Sequence, residues 1–290
     1  MTIGSLNITG GRYEGKCSKY PNITTLVRKN KIMVLGIQET KLAEHDHIHL
    51  MNENPKIIIE QNSGDREAGV AFILNKDLLD WDNSKPLIWQ HTKLITGCAL
   101  LLTIQWENKE LNLINLYTPN KLKDKIEFFA SLEERLRQER DLKDLIILGD
   151  FNFMEEAIDH LPHHYDDNRL TTTWKETSDQ LHLIDRWCDS NPNAKQYSFK
   201  QSYSLSRIDR IYMDKKNLKF TDSWNITEAR ISDHQLVSIS IIKQGLPYIG
   251  RGIWKINIDT LEYMQFHNRA KNILLRCKKR MKSETKQISG

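Results

Sequence analysis

The chain has 290 residues, a mass of 34.0 kDa, 39% hydrophobic residues and a formal net charge of only +4, enough apolar material for a substantial core in one large domain. No charged start followed by an apolar run marks a signal peptide, and the longest apolar stretch, around Cys98 to Ile104, is far short of a bilayer span; neither a secreted nor a membrane protein is expected. Cys17, Cys98, Cys188 and Cys277 are scattered without metal-ligand spacing, which argues against a zinc site or a disulfide scaffold and for a nuclear or cytosolic setting.

In chain order, apolar runs predict strands near 3–8, 32–37, 69–75, 98–106, 110–117, 144–149, 207–213 and 235–242. Amphipathic stretches predict helices near 22–30, 122–139 and 173–184, the second with Ile126, Phe129, Leu132 and Leu136 on one face. Periodicity alone gives a mixed α/β protein. Charge then divides the chain unevenly. From Lys243 onward there are 11 Lys or Arg against 3 acids, a balance of +8, which leaves −4 for the first 242 residues. Residues 1–242 are therefore expected as the main domain. Residues 243–290 are expected as a basic, partly helical tail, with apolar positions spaced for a helix from Leu261 to Met281, able to attract a polyanion.

The ends of the strands carry the chemistry. Leu145–Leu148 is an apolar run that ends in Gly149 and then delivers a carboxylate and an amide, Asp150 and Asn152, at the edge where open α/β sheets place their ligands. Ser232-Asp233-His234 precedes the alternating run 235–241, and a carboxylate that close can fix an imidazole's tautomer or raise its pKa. Asn7 closes the first strand, Glu39 the second and Tyr117 another, while Asp209 lies inside a strand. Each has a bland reading: a turn residue for Asn7, a solvated strand end for Glu39, a core edge for Tyr117, a salt-bridge partner of Arg207 or Arg210 for Asp209. The repetition of polar residues after apolar strands is what the bland readings leave unexplained.

The ordered set is Asn7 and Arg12 in LNITGGR, Glu39 in QET, Tyr117 in NLYTPN, Asp150 and Asn152 in GDFN, Ser206 and Asp209 in SRIDRI, and Asp233 and His234 in SDH. It resembles the endonuclease/exonuclease/phosphatase superfamily and, within it, the apurinic-like endonuclease domain of non-LTR (LINE-type) retrotransposons. Leu183-Ile184-Asp185-Arg186-Trp187, Gln196-Tyr197-Ser198-Phe199 and the Gly250–Asn257 segment are similar to the retrotransposon branch in particular. Ser198 departs from that branch's usual threonine but keeps the hydroxyl.

The resemblance implies a four-layer α/β sandwich, two mixed β-sheets flanked by helices as in DNase I. It implies a magnesium ion, with manganese as substitute, held by Glu39 with Asn7 nearby. Asp150 would orient or deprotonate the attacking water, and Asn152 and Tyr117 would steady the phosphate oxygens. His234, held by Asp233, would contact the phosphate, with Asp209 close by as a second carboxylate. Ser206, Ser198 and Arg12 would meet the DNA backbone. Lys200 to Leu205 stands where LINE-type nucleases place a DNA-probing hairpin and is short here.

The implied function is a magnesium-dependent endonuclease that nicks double-stranded DNA to prime reverse transcription. The implied partners are DNA and a reverse transcriptase domain or element RNA outside this sequence. The alternatives are an abasic-site repair enzyme or a phospholipid phosphoesterase of the same superfamily, or a degenerate DNA-binding copy without turnover.

Overall fold

The computed structural model describes residues 1–12, 17–64, 68–79, 88–106, 109–139, 142–163, 166–185, 187–188, 191, 193–242, 264, 268–269 and 271–272. The chain divides into two compact units, Met1–Gln244 and Gly245–Gly290. In the second, Met264, Asn268, Arg269, Lys271 and Asn272 are helical. The rest of the expected 261–281 helix and the Gly250–Asn257 segment lie outside the described residues.

The first unit opens with β1 (Thr2–Asn7), α1 (Tyr20–Lys29), β2 (Val34–Gln38), α2 (Asp46–Glu53), β3 (Ile57–Asn62), β4 (Val70–Asn75) and the short α3 (Lys76–Leu79). It continues with β5 (Ile88–Ile95), β6 (Ala99–Trp106), β7 (Lys109–Tyr117), α4 (Leu122–Gln138), β8 (Leu145–Asp150), β9 (His160–Leu161), α5 (Asn168–Gln180) and β10 (Leu183–Ile184). A hairpin of β11 (Phe199–Gln201) and β12 (Ser204–Ser206) leads to β13 (Asp209–Asp214), β14 (Thr221–Thr227) and β15 (Leu236–Ile241).

Two six-stranded sheets result, in the orders β14-β15-β1-β2-β4-β3 and β10-β13-β8-β7-β6-β5. Each has one parallel pair at its centre, β1 with β2 and β7 with β8, joined by α1 and by α4, and antiparallel strands elsewhere. Side-chain alternation sorts the core into three layers. Ile3, Val34, Phe72, Leu113, Ile146, Leu148, Ile211 and Ile239 face the space between the sheets. Leu6, Leu35, Ile37 and Ile73 face away and pack under Tyr20, Ile23 and Val27 of α1. On the far side, Ile114, Ile147 and Tyr212 pack under Phe128, Phe129 and Leu132 of α4 and Trp174 of α5. Three apolar layers between four structural layers make the sandwich that the resemblance implies. Truncating a ring such as Trp174 would cost about 3–5 kcal/mol.

Gly36 and Gly149 mark where this packing is closest. A Cβ on Gly36 would lie 2.3 Å from Leu148 Cδ1 across the sheet interface. Gly149 has φ +149° and its Cβ would lie 2.0 Å from the Leu116 carbonyl oxygen, which explains the glycine before Asp150.

The structure corrects the predicted elements in places. α5 begins at Asn168 rather than 173, because Asp167 caps the helix by accepting the Arg169 N–H, and it stops at Gln180, with Leu183–Ile184 a strand. α4 buries Lys125 and Phe128 beside Phe129, Leu132 and Leu136, so its inner face is turned from the expected one and contains a lysine. β3, β5, β14 and α2 go beyond the predicted elements; β5 is an exposed edge strand, and α2 buries no residue, so neither carries a clear apolar pattern. Among the described residues no helix is long and apolar enough to cross a membrane.

Candidate active site

Alternation along the strands determines which polar groups meet. Ile3, Ser5 and Asn7 lie on the inter-sheet face of β1, and Ile146, Leu148 and Asp150 on that of β8, so both apolar rows end in a polar group at the same rim. Asn7 Nδ2 donates to Asp150 Oδ2 and to Glu39 Oε1, both at 2.9 Å. Its Oδ1 accepts the Thr9 N–H at 2.9 Å. Asn7 thus presents its NH₂ to both carboxylates and bridges them at the rim where the expected metal would be held. Glu39 adopts φ +51°, a conformation that a non-glycine residue reaches only under local constraint, and its Oε2 pairs with Lys41 Nζ at 3.2 Å.

β13 runs antiparallel to β8 with Asp209 opposite Asp150. Asp209 Oδ2 is 2.8 Å from His234 Nδ1, and both residues are buried. Asp233 does not hold the imidazole, which corrects the expectation from adjacency. Consecutive residues leaving a turn point apart, and the exposed Asp233 accepts instead from Thr9 Oγ1 at 2.8 Å. Ser232 fixes this turn, donating to the Asn7 carbonyl at 2.6 Å and accepting the His234 N–H at 3.2 Å. Phe199 lies against the imidazole with ring centroids 4.5 Å apart.

The electrostatics follow from this burial. Burial disfavours the charged imidazole, but the Asp209 carboxylate outweighs it, with Asp150 and Asp233 adding to the effect, and His234 is raised to about 9; the ring is an imidazolium at neutral pH. Burial, and next the Asp209 carboxylate, push Asp150 above the usual carboxylate range, against the pull of His234, Asn7 and the Asn152 N–H. Burial, followed by the carboxylates of Glu39 and Asp150, also raises Tyr117, which therefore stays a neutral phenol and a hydrogen-bond donor.

Asn152, at φ +50°, gives its N–H to Asp150 Oδ1 at 2.9 Å and its Nδ2 to the Thr118 carbonyl at 2.7 Å. Ser198 is fully buried and accepts the N–H groups of Ile208 and Asp209 at 3.1 and 2.9 Å, so it cannot contact DNA as expected. It fixes the backbone that carries Asp209. Ser206 is mostly buried in the three-stranded β11-β12-β9 sheet, and Arg12 is exposed; neither joins the hydrogen-bonded cluster among the described residues. Arg12 and Lys41 share a cleft of about 650 Å³ with Thr40 and His49.

The LIDRW block has a buried, structural use. Asp185 accepts from Arg207 Nη1 at 2.5 Å and from the Trp187 N–H at 3.0 Å, and the Arg207 guanidinium lies over the Trp187 ring. Asp159, unremarked in the sequence, accepts from both Arg207 and Arg210.

Ligand atoms of Asp150, Asp209 and His234 lie within 4.8 Å of one another. Asp209 Oδ1 is buried without a hydrogen-bond partner. The Glu39 and Asp150 carboxylates, bridged by Asn7, offer oxygen donors that fit a hard divalent cation better than a soft one.

Residues 5–234 match the model of the Endonuclease/Exonuclease/phosphatase family. A Transposon TX1 uncharacterized 149 kDa protein of Xenopus laevis is 30% identical over 187 residues, 62% of this chain; the chain spans 14% of that protein's length. The fold is similar to that of the AP endonuclease LMAP from Leishmania major, with TM-score 0.68 and 15% identity over 83% of this chain and 87% of that one. It is also similar to the endonuclease domain of TRAS1, a telomere-specific non-LTR retrotransposon, with TM-score 0.61 and 18% identity over 84% and 99% of the two chains. The matched span takes in every strand end of the cluster from Asn7 to His234, and the chain belongs to the endonuclease/exonuclease/phosphatase family.

Proposed function

We propose that the chain is a divalent-metal-dependent endonuclease that nicks duplex DNA, and that it serves a LINE-type element by freeing a 3′ hydroxyl for reverse transcription. The observation that carries this reading is the buried Asp209–His234 pair set opposite a carboxylate with raised proton affinity, Asp150. A base whose pKa lies near the working pH and an imidazolium aimed at the same space suit attack on an anionic phosphodiester. The likeness to the TX1 protein and to the TRAS1 domain supports the retrotransposon branch.

Water attacks the phosphorus and gives its proton to Asp150, the P–O3′ bond breaks, and the 3′ oxygen takes up a proton from a solvent water as it leaves. His234, charged and fixed by Asp209, hydrogen-bonds a phosphate oxygen as negative charge grows; the Tyr117 phenol does the same from β7. Magnesium, the expected ion, would be held by Glu39, with Asp150 the next carboxylate across Asn7, and would supply further positive charge to the phosphate. Arg12 and Lys41 extend the DNA path along their shared cleft. The nuclease is assigned to residues 1–242 and DNA attraction to the basic 243–290 tail, with action on chromosomal DNA in the nucleus.

The test is relaxation of supercoiled plasmid with magnesium, with EDTA, and with His234→Ala. Nicking that needs the metal and falls by about two orders of magnitude in the variant supports the proposal. Equal nicking in EDTA removes the metal from it.

A further inference from the structure

Two lysines outside the motif set send their ammonium groups beneath the site, one under each sheet. Lys125, on the inner face of α4 among Phe128, Phe129 and Leu132, is 7% exposed and donates to the Asn152 carbonyl. Lys19, just before α1, is 6% exposed and donates to the Ile8 carbonyl at 2.6 Å. Asn152 and Ile8 are backbone positions just past Asp150 and Asn7.

A lysine is rarely buried, and at position 125 a leucine would continue the apolar face of α4 without desolvating a charge. Burial lowers the proton affinity of both lysines, so each ammonium is held there against a penalty. What the ammonium adds at 125 is a donor that reaches a left-handed turn. Asn152 stands at φ +50°, and in that conformation its N–H caps Asp150 Oδ1. The first side of the site is built alike: Ile8 lies between Asn7, which bridges the carboxylates, and Thr9, at φ +50°, whose N–H caps Asn7 Oδ1.

The geometry points to Lys125 and Lys19 as positioning residues that clamp the two strand exits by their carbonyls, so that Asp150 and Asn7 are held in one arrangement before substrate arrives. The idea rests on the nuclease reading for its consequence in rate, but not for the clamp itself.

The experiment uses the full chain with Lys125→Met, Lys125→Arg, Lys19→Met and Lys19→Arg. Amide hydrogen exchange at Asn152 and Thr9 is read alongside kcat and KM for nicking a duplex oligonucleotide with magnesium. Lys125→Met should raise exchange at Asn152, and Lys19→Met at Thr9, each by at least tenfold. Each should lower kcat by at least tenfold with KM within about twofold, and the arginine variants should recover most of both losses. Should one methionine variant fail to fold, its arginine counterpart and the other lysine carry the same readings. Unchanged exchange, arginine variants as impaired as methionine ones, or a loss confined to KM would overturn the assignment. A wild-type chain that does not nick would count against the nuclease reading alone, and the exchange pattern would still decide the clamp.

Discussion

His234 Nδ1 lies 2.8 Å from Asp209 Oδ2, while Asp233, the neighbour of His234 in sequence, points away to Thr9. The imidazolium therefore owes its charge chiefly to a strand 25 residues upstream. Catalysis that needs His234 protonated should fall as pH rises through about 9, and activity that needs Asp150 ionised should rise with pH through a value above the usual carboxylate range. Asp209→Asn removes the charge that holds the proton, so the alkaline limb should move down toward the ordinary histidine value of about 6.5, and kcat should drop by about 10²-fold or more. Asp233→Asn should leave the limb within a few tenths of a unit. An Asp209→Asn profile superimposable on wild type would separate the pair from the mechanism.

The Asp159–Arg207–Arg210 cluster predicts a stability effect away from the chemistry. Burial by itself would raise Asp159, but the guanidiniums of Arg210 and Arg207 outweigh it and hold the carboxyl below its ordinary value. A depressed folded-state pKa contributes stability above the unfolded value, near pH 4, that is lost as pH falls through the lower, folded one. Asp159→Asn leaves two buried guanidiniums short of an anion and should destabilise the fold by about 3–5 kcal/mol at neutral pH. Denaturant unfolding of both chains at pH 7 and near pH 3 measures this, and the gap between them should narrow in acid.

The strand ends could be read from the sequence because an apolar run that stops at a polar residue is local information, and eight strands were placed by it. That Asp209 lies close to His234 came from the family resemblance, and that Asn7 bridges Glu39 and Asp150 only from the structure, since periodicity gives faces but not which sheets stack. Adjacency misled at Asp233, where the nearest carboxylate in sequence faces away. At Ser198 the resemblance misled: the hydroxyl expected to meet DNA is consumed by two backbone amides. Lys125 was hidden by its charge: in a helix of Glu, Lys and Arg, nothing local distinguishes the lysine that faces inward.

Ser198 supplies a prediction of its own. Its Oγ is the acceptor for two buried N–H groups, one of them that of Asp209. Ser198→Ala should destabilise by about 1–3 kcal/mol, the scale of an unsatisfied buried donor, and should also lower kcat because Asp209 loses its anchor. Ser198→Thr restores the hydroxyl and should recover rate and stability together, as Tm and single-turnover nicking would record. Equal impairment in both variants would mean that space, not the acceptor, is what the site requires.

The substrate is decided by comparing intact and abasic duplex. The β11–β12 hairpin is three residues on each side with Ser202 and Tyr203 at its tip, and Tyr203 is 98% exposed. So short a projection reaches few base edges, and its preference should come from how easily the DNA deforms. An enzyme that primes reverse transcription must cut undamaged duplex, whereas a repair enzyme derives its selectivity from an extruded, unpaired site. Intact duplex should therefore be nicked, preferentially at flexible pyrimidine-purine or A/T-rich steps, and a defined abasic site should raise kcat/KM by less than about tenfold. Tyr203→Ala should alter the pattern of cut sites more than the total rate, because the ring stands 98% exposed at the hairpin tip, away from the buried Asp209–His234 pair. A thousandfold preference for the lesion, about 4 kcal/mol of transition-state discrimination, would assign the chain to repair instead.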